Sequence, residues 1–204
     1  MNFTELVQGE DVVHIAKRLL GATISTKFDG ELTSGIIVES EAYKAPEDKG
    51  SHAYANRRTT RTETLFGPPG NAYVYLCYGL HHLFNVVTAS QGLAHAVLIR
   101  AIEPVKGREV MTRRRNLKRP KFNLTNGPGK LSQALGITTK HNGQRLLGPT
   151  SMISINLTPD PVPSNKIICS PRVGIAYAEE CAHWPWRFRI VNNSWTSLPK
   201  EVSY

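Results

Sequence analysis

Gly70-Asn71-Ala72-Tyr73-Val74-Tyr75-Leu76-Cys77-Tyr78-Gly79-Leu80-His81-His82-Leu83-Phe84-Asn85 is the stretch from which the fold is best read. Tyr73 and Tyr75 alternate with Val74 and Leu76, the period of a half-buried strand. Tyr78-Gly79 breaks the alternation. A reversal there, with return through Phe84-Asn85-Val86-Val87, makes a β-hairpin with Tyr78 at or near its tip. In a basic protein a protruding aromatic ring points to nucleic acid. The plain alternative is a tyrosine that packs inward or covers a sheet edge.

The chain has 204 residues, enough for one substantial core, and shows no repeat or low-complexity linker, so residues 1–204 read as a single domain. Lysine and arginine number 25 against 16 aspartates and glutamates, and the resulting charge of +9 favours encounter with polyanions without fixing a fold. Cys77, Cys169 and Cys181 are widely spaced, odd in number and form no Cys-x-x-Cys. They fit neither a disulfide framework nor a structural zinc site, which implies reduced thiols in a reducing compartment. The N-terminus lacks a basic segment followed by an apolar one, and no apolar run approaches the ~18 residues of a membrane span. The expectation is a soluble intracellular protein of the cytoplasm or nucleoid, or of the nucleus in a eukaryote.

Outward from the hairpin, Val12, Ile15, Ala16, Leu19 and Leu20 have helical spacing, with Gly21 as a stop. Asp29-Gly30 between 22–28 and 31–39 is a hairpin signal. On the second of these strands Ile36 and Val38 should face one way, and Ile37, Glu39 and Glu41 the other. The segment 44–69 is long and irregular, punctuated by Pro46, Gly50, Gly67, Pro68 and Pro69, and it holds His52, Arg57, Arg58 and Arg61; loops of this length in compact domains usually carry function or are disordered. The run 95–102 reads as a buried strand interrupted by Arg100, which needs an anionic partner. Residues 107–116 suit a helix bearing the basic run Arg113-Arg114-Arg115, a solvated face by default. Asn126-Gly127-Pro128-Gly129-Lys130 opens a short helix that Gly136 ends, and free amides beside Lys130 could hold a phosphate. Strands are expected over 151–157, 167–175 and 187–191, with a short helix over 177–183.

Few chemistries have motif support. His81-His82 are adjacent, which turns their rings apart on a strand, and no His-Glu-x-x-His or Cys/His cluster appears, so no metal is expected. Nucleotide-binding glycine loops and Gly-x-Ser-x-Gly are absent. What remains is an acid near the end of a buried strand, a loop histidine, several tyrosines and a positive field.

Those residues stand in a recognisable order. Val38-Glu39-Ser40-Glu41-Ala42-Tyr43, Pro46-Glu47-Asp48, Ser51-His52, Tyr73-Val74-Tyr75 with Tyr78-Gly79 and Asn85, Val97-Leu98-Ile99-Arg100-Ala101, Glu103-Pro104, and Gly127-Pro128 with Lys130-Leu131 and Gln133-Ala134-Leu135 closely resemble the alkyladenine (3-methyladenine) DNA glycosylase family. The likeness runs in order from about Leu19 to Trp195.

The resemblance implies a mixed α/β (α+β) fold: a curved, largely antiparallel sheet with peripheral helices and a protruding hairpin that enters DNA. It implies a monofunctional, cofactor-free hydrolase that flips alkylated or deaminated purines (3-methyladenine, 7-methylguanine, hypoxanthine) out of duplex DNA. The enzyme then cleaves the N-glycosidic bond and leaves an abasic site for base excision repair. By the same resemblance Glu41 is the general base, with Arg100 and the backbone carbonyl of Val173 holding the water. Tyr43 stacks on one face of the base, with His52 and Tyr75 on the other, Asn85 lines the pocket against guanine, and Tyr78 wedges into the minor groove. Arg57, Arg58 and Lys130 are the expected DNA contacts, and the working partner is damaged double-stranded DNA, with the protein a monomer.

The residue types suit that chemistry on their own terms. Base removal passes through a cation-like sugar, so one carboxylate both deprotonates water and stabilises developing positive charge. An alkylated purine is already a cationic leaving group and needs no second acid, and an aromatic sandwich favours it over a neutral base. Glu39, on the same strand face, is the rival base, and Glu41 is preferred for its place at the strand end beside Tyr43. Two alternatives stay open: a noncatalytic nucleic-acid-binding protein using the same basic face, and a hydrolase of small nucleosides.

Overall fold

A computed structural model describes residues 1–148 and 151–197. Strands β1 (Thr23–Phe28) and β2 (Glu31–Lys44) form the hairpin that Asp29-Gly30 signals. Strands β3 (Ala72–Cys77) and β4 (His81–Thr88) form the second hairpin, followed by β5 (His95–Lys106). With β6 (Ile153–Asn156), β7 (Ile167–Ser170) and β8 (Arg187–Ile190) they make one antiparallel sheet in the order β3-β4-β5-β2-β1-β6, while β8 joins β2 to β7.

The long strand β2 organises this sheet. One of its edges pairs with β5 along most of its length, whereas the other pairs with β1 up to Ile36 and with β8 from Glu39 to Glu41. Where the partner changes, the ladder is irregular: Ile37 pairs with Ile102 and Glu39 with Ala101, then Ser40 with Ile99, so Val38 and Arg100 are each left without an opposite residue. Such bulges bend a strand and re-aim its side chains. Strict alternation along β2 therefore fails at this point, and Ile37 and Val38 both join the main core where opposite faces had been expected. Glu39 stands between the two register shifts and Glu41 just past them, and both carboxylates reach the Arg100 guanidinium.

Helix α2 (Val12–Arg18), capped by Asp11, buries Val12, Ile15 and Ala16 against β2 and β5. A short helix α1 (Phe3–Val7) precedes it, held by a capping box between Asn2 and Glu5. Helix α3 (Arg108–Arg114) follows β5, and α4 (Pro128–Leu135) packs on β4 and β5 with Pro128 at its first turn and Gly136, at φ 76°, ending it. The basic run at the end of α3 ties helices to sheet: Arg113 pairs with Glu31, Arg114 reaches Thr33 and the Ala134 carbonyl, and Arg115 donates to Gln133. The fold is thus an α+β single body with an open antiparallel sheet.

Four C-terminal expectations change. The strand expected over 167–175 stops at Ser170, because Pro171 cannot donate to a ladder and Gly174 turns at φ 79°. The helix over 177–183 is a 3-10 segment, Ala176–His183, interrupted at Ala178 and Glu179. The strands over 151–157 and 187–191 are shortened to β6 and β8. Nor is the segment 44–69 loose. Leu65 and Phe66 pack with Ala45, Ala53, Tyr73 and Val87 in a second small core. Asp48 pins the start of this segment, accepting from the amides of Lys44 and Gly50 and from both terminal nitrogens of Arg172.

Candidate active site

A cavity of about 700 Å³ opens between the β3-β4 hairpin, the segment 44–69, the N-terminus of α4 and the loop 173–177. That volume lies within the range of small-molecule sites. Of the residues singled out in the sequence, Tyr43, His52, Tyr75, Tyr78, Asn85, Arg100, Lys130 and Val173 all line it.

Glu41 lies one layer behind this wall. Its carboxylate is fully buried and is held by three groups that do reach the cavity: the Tyr43 hydroxyl donates at 2.8 Å, the Val173 amide at 2.9 Å, and an Arg100 terminal nitrogen stands at 3.2 Å. The Val173 N–H thus holds Glu41, a contact separate from the water-holding role expected of its carbonyl. Pro171 and Gly174, on either side, end the β7 ladder and leave this amide outside it.

Glu39 is the anchor of a separate network. Its carboxylate accepts from Nε of Arg100 and Nε of Arg187, both at 2.8 Å, and from the amide and hydroxyl of Ser197. Burial alone would raise this carboxyl, and the charges of Arg100 and Arg187 with the Ser197 bonds overcome it and hold the group below its ordinary value. Arg100, opposed by burial but paired with Glu41 and Glu39, is held firmly in its charged form. The buried arginine in β5 thus finds two anionic partners.

The aromatic side is tight. His52 meets the Tyr75 ring edge-on at 4.6 Å, its Nδ1 lies 2.9 Å from the Tyr73 hydroxyl, and Tyr73 and Tyr75 are 5.4 Å apart. Burial first, and the nearby charge of Arg61 second, push His52 down to about 4, so the ring is neutral at physiological pH. Burial also raises Tyr43 and Tyr75 above the ordinary phenol value. Tyr43 is backed by the Arg172 guanidinium, 4.6 Å from its ring centre, and Arg172 is itself locked to Asp48 at 2.5 and 2.7 Å. Asn85, 4% exposed, donates to the Tyr73 carbonyl.

At the mouth, Tyr78 and Gly79 both adopt positive φ, 50° and 70°, and the Leu80 amide donates to the Cys77 carbonyl, a mirror-image turn that suits a two-stranded twist. Tyr78 is 88% exposed, so the alternative of an inward-packed ring does not hold. The basic residues are divided. Lys130 lines the cavity from α4, its amine bonded to Asn126, whereas Arg57 and Arg58 are exposed outside the lining, with Arg58 paired to Glu63.

Sequence reasoning missed Arg61, Arg172, Arg187 and Ser197 as parts of this site. Arg61 sits in the loop beside His52, which is a local signal. The other three come from distant segments and leave no pattern at short range.

Among the described residues, no group of three His, Cys, Asp or Glu side chains is placed to hold a metal ion, and no helix is long and apolar enough to cross a membrane.

Comparison with known proteins agrees with the geometry. The family model of methylpurine-DNA glycosylase matches residues 6–194. A Chlamydia felis protein, provisionally named 3-methyladenine DNA glycosylase, is 51% identical over 182 residues, covering 89% of this chain and 91% of its own length. Relatives with the same provisional name from Bacillus cereus and Bacillus thuringiensis are each 51% identical over 184 residues, covering 87% of this chain and 90% of theirs. The chain belongs to the methylpurine-DNA glycosylase family, hydrolases of the N-glycosidic bond, as the ordered motifs of the sequence imply.

Proposed function

We propose that this methylpurine-DNA glycosylase removes 3-methyladenine, and with it 7-methylguanine and hypoxanthine, from duplex DNA by flipping the damaged nucleotide into the cavity behind Tyr78. The supporting observation is the arrangement of Glu41: a buried carboxylate whose three holders, Tyr43, Arg100 and Val173, face the same cavity as His52, Tyr75 and Asn85.

In this scheme the flipped base lies between Tyr43 and the His52–Tyr75 pair. Asn85 is fixed by its bond to the Tyr73 carbonyl and presents a set polar edge to the base. Glu41 deprotonates a water held near Arg100 and Val173, and its charge opposes the positive charge growing on the sugar. Glu39 takes no part as a base, since two guanidiniums and Ser197 occupy its oxygens. Departure of a purine alkylated at N3 or N7 removes a positive charge from the base and needs no acid. A neutral lesion requires protonation as it leaves. Tyr78 fills the gap in the duplex, and Lys130, Arg57 and Arg58 attract the backbone. The protein acts as an intracellular monomer through residues 1–204 as one domain.

The test is base release from duplexes carrying 3-methyladenine or hypoxanthine under single-turnover conditions. The expected outcome is free base and an unnicked abasic strand, with binding that weakens as salt rises. Lesion binding with no base released, even on prolonged incubation, would support a noncatalytic DNA-binding protein. Equal activity on isolated nucleosides, with little salt dependence, would support a nucleoside hydrolase.

A further inference from the structure

Arg61 stands against the aromatic wall with no carboxylate within ion-pair distance among the described residues, although Arg58, three positions earlier, is paired with Glu63. Its guanidinium carbon lies 5.1 Å from the centre of the Tyr75 ring, and one terminal nitrogen is 3.4 Å from Nε2 of His52. The residue is exposed and lines the cavity. An exposed side chain thus places a permanent positive charge on the wall against which a cationic purine would stack.

We propose that Arg61 is a specificity-determining residue whose charge occupies the Tyr75–His52 wall in the free protein, excludes cationic bases that arrive without DNA, and is drawn off by a backbone phosphate when a lesion arrives in a duplex. The inference rests on the stacking of the base on this wall proposed above. The face of an aromatic ring attracts one cation through its quadrupole, and a second cation close by meets the first as a like charge. A neutral purine meets no such repulsion. A phosphate gives the guanidinium a bidentate anionic partner that the protein does not, and this removes the penalty in DNA alone. Burial chiefly, with this charge adding to it, keeps His52 unprotonated, which spares a cationic base a second repulsion. Discrimination then comes from a repulsive element as well as an attractive one.

Two phosphate-free probes separate the effects: 7-methylguanosine, cationic at mildly acidic pH, and inosine, neutral there. Their binding is measured for wild type, Arg61→Gln, Arg61→Lys and Tyr75→Ala by ligand-observed NMR, with thermal melts to confirm folding. Arg61→Gln should raise affinity for 7-methylguanosine about three- to tenfold and leave inosine within about twofold, while Arg61→Lys behaves as wild type. On a lesion duplex Arg61→Gln should bind more weakly, with its salt slope reduced by about one. Equal gains for both nucleosides, or none for the cation, overturn the proposal, as does an unchanged salt slope. Tyr75→Ala tells the two levels apart. If it weakens nucleoside binding while Arg61→Gln shows no charge-dependent effect, only the role of Arg61 falls; if it leaves binding unchanged, the stacking wall falls with it.

Discussion

Glu39 and Glu41 stand two residues apart on β2, both fully buried, both in contact with Arg100, and they serve different ends. Glu39 lies between two guanidiniums and the Ser197 amide and hydroxyl, so its charge closes a network that joins β2, β5, β8 and the segment that carries Ser197. Among the described residues Glu41 has one guanidinium within ion-pair distance, Arg100, with Arg172 acting on it from farther away, and its other two holders, Tyr43 and the Val173 amide, belong to the cavity wall. One carboxylate is surrounded by positive charge and the other is left with charge to spare. Burial alone does not separate a structural acid from a reactive one, but the number and position of the cations around each does.

The largest test of this contrast is Glu41→Gln. The amide keeps the shape and leaves Arg100 paired with Glu39, so base release should fall by about 10²–10⁴-fold, the usual weight of a general base, while thermal unfolding stays near wild type. Unaltered turnover would remove Glu41 from the chemistry. Glu39→Gln should show the opposite emphasis. It leaves Arg100 and Arg187 without their shared anion, and breaking a buried pair in this way costs about 3–5 kcal/mol. Urea denaturation should record that loss, with base release by the remaining folded protein falling far less than in Glu41→Gln. Equal stability loss in the two variants would break the comparison.

Acid titration of stability sharpens it further. Glu39 is held below its ordinary value, so its contribution is present in full above about pH 4.5 and is lost as pH falls through the lower folded value. His52 works in a higher window. Its folded value, about 4, lies under the 6.5 of an unfolded histidine, so between those limits the unfolded chain takes up a proton that the folded one refuses, and stability falls as pH falls. His95, held low by burial, adds to that slope. His52→Gln should therefore flatten the decline between about pH 6.5 and 4 and leave the lower, carboxylate-driven loss in place, as read by the urea midpoint at each pH. An unchanged upper slope would show that His52 titrates as it does in the unfolded chain.

Much of the fold could be read locally. The Tyr73–Val87 hairpin, the Asp29-Gly30 turn, α2 and α4 each follow from period, turn residues and caps within about a dozen residues. Glu41, Tyr43, His52 and Asn85 were found because family motifs surround them in order. What stayed hidden was long-range. The paired irregularities at Val38 and Arg100 arise where β2 changes partner from β1 to β8, and a single strand's pattern holds no record of its neighbours. Arg172 and Asp48 are 124 residues apart, and Ser197 and Glu39 are 158 apart. The stretch after Ser170 misled because Ile167 to Ile175 is apolar enough for a strand while Pro171 and Gly174 forbid one.

The smallest test uses one hydroxyl on each carboxylate. Ser197 donates to Glu39 at 2.8 Å and Tyr43 donates to Glu41 at 2.8 Å, so Ser197→Ala and Tyr43→Phe each remove one hydroxyl donor from a buried acid, and Ser197→Ala also loses the longer bonds its hydroxyl accepts from Arg100 and Arg187, at 3.3 and 3.4 Å. Each bond is worth about 1 kcal/mol of stability, rising towards 3 where the partner is charged. Glu39 keeps the Ser197 amide and both guanidiniums, so Ser197→Ala should shift the urea midpoint modestly and leave single-turnover base release within about threefold of wild type. Tyr43→Phe retains the ring that the base stacks on and the Arg172 contact behind it, and alters the environment of the reacting carboxylate. Its effect should appear in the rate of base release, up to about tenfold, with lesion-DNA binding nearly constant. If the serine variant proved the slower enzyme and the tyrosine variant merely the less stable protein, the two acids would have exchanged roles, and Glu39 would become the base to pursue.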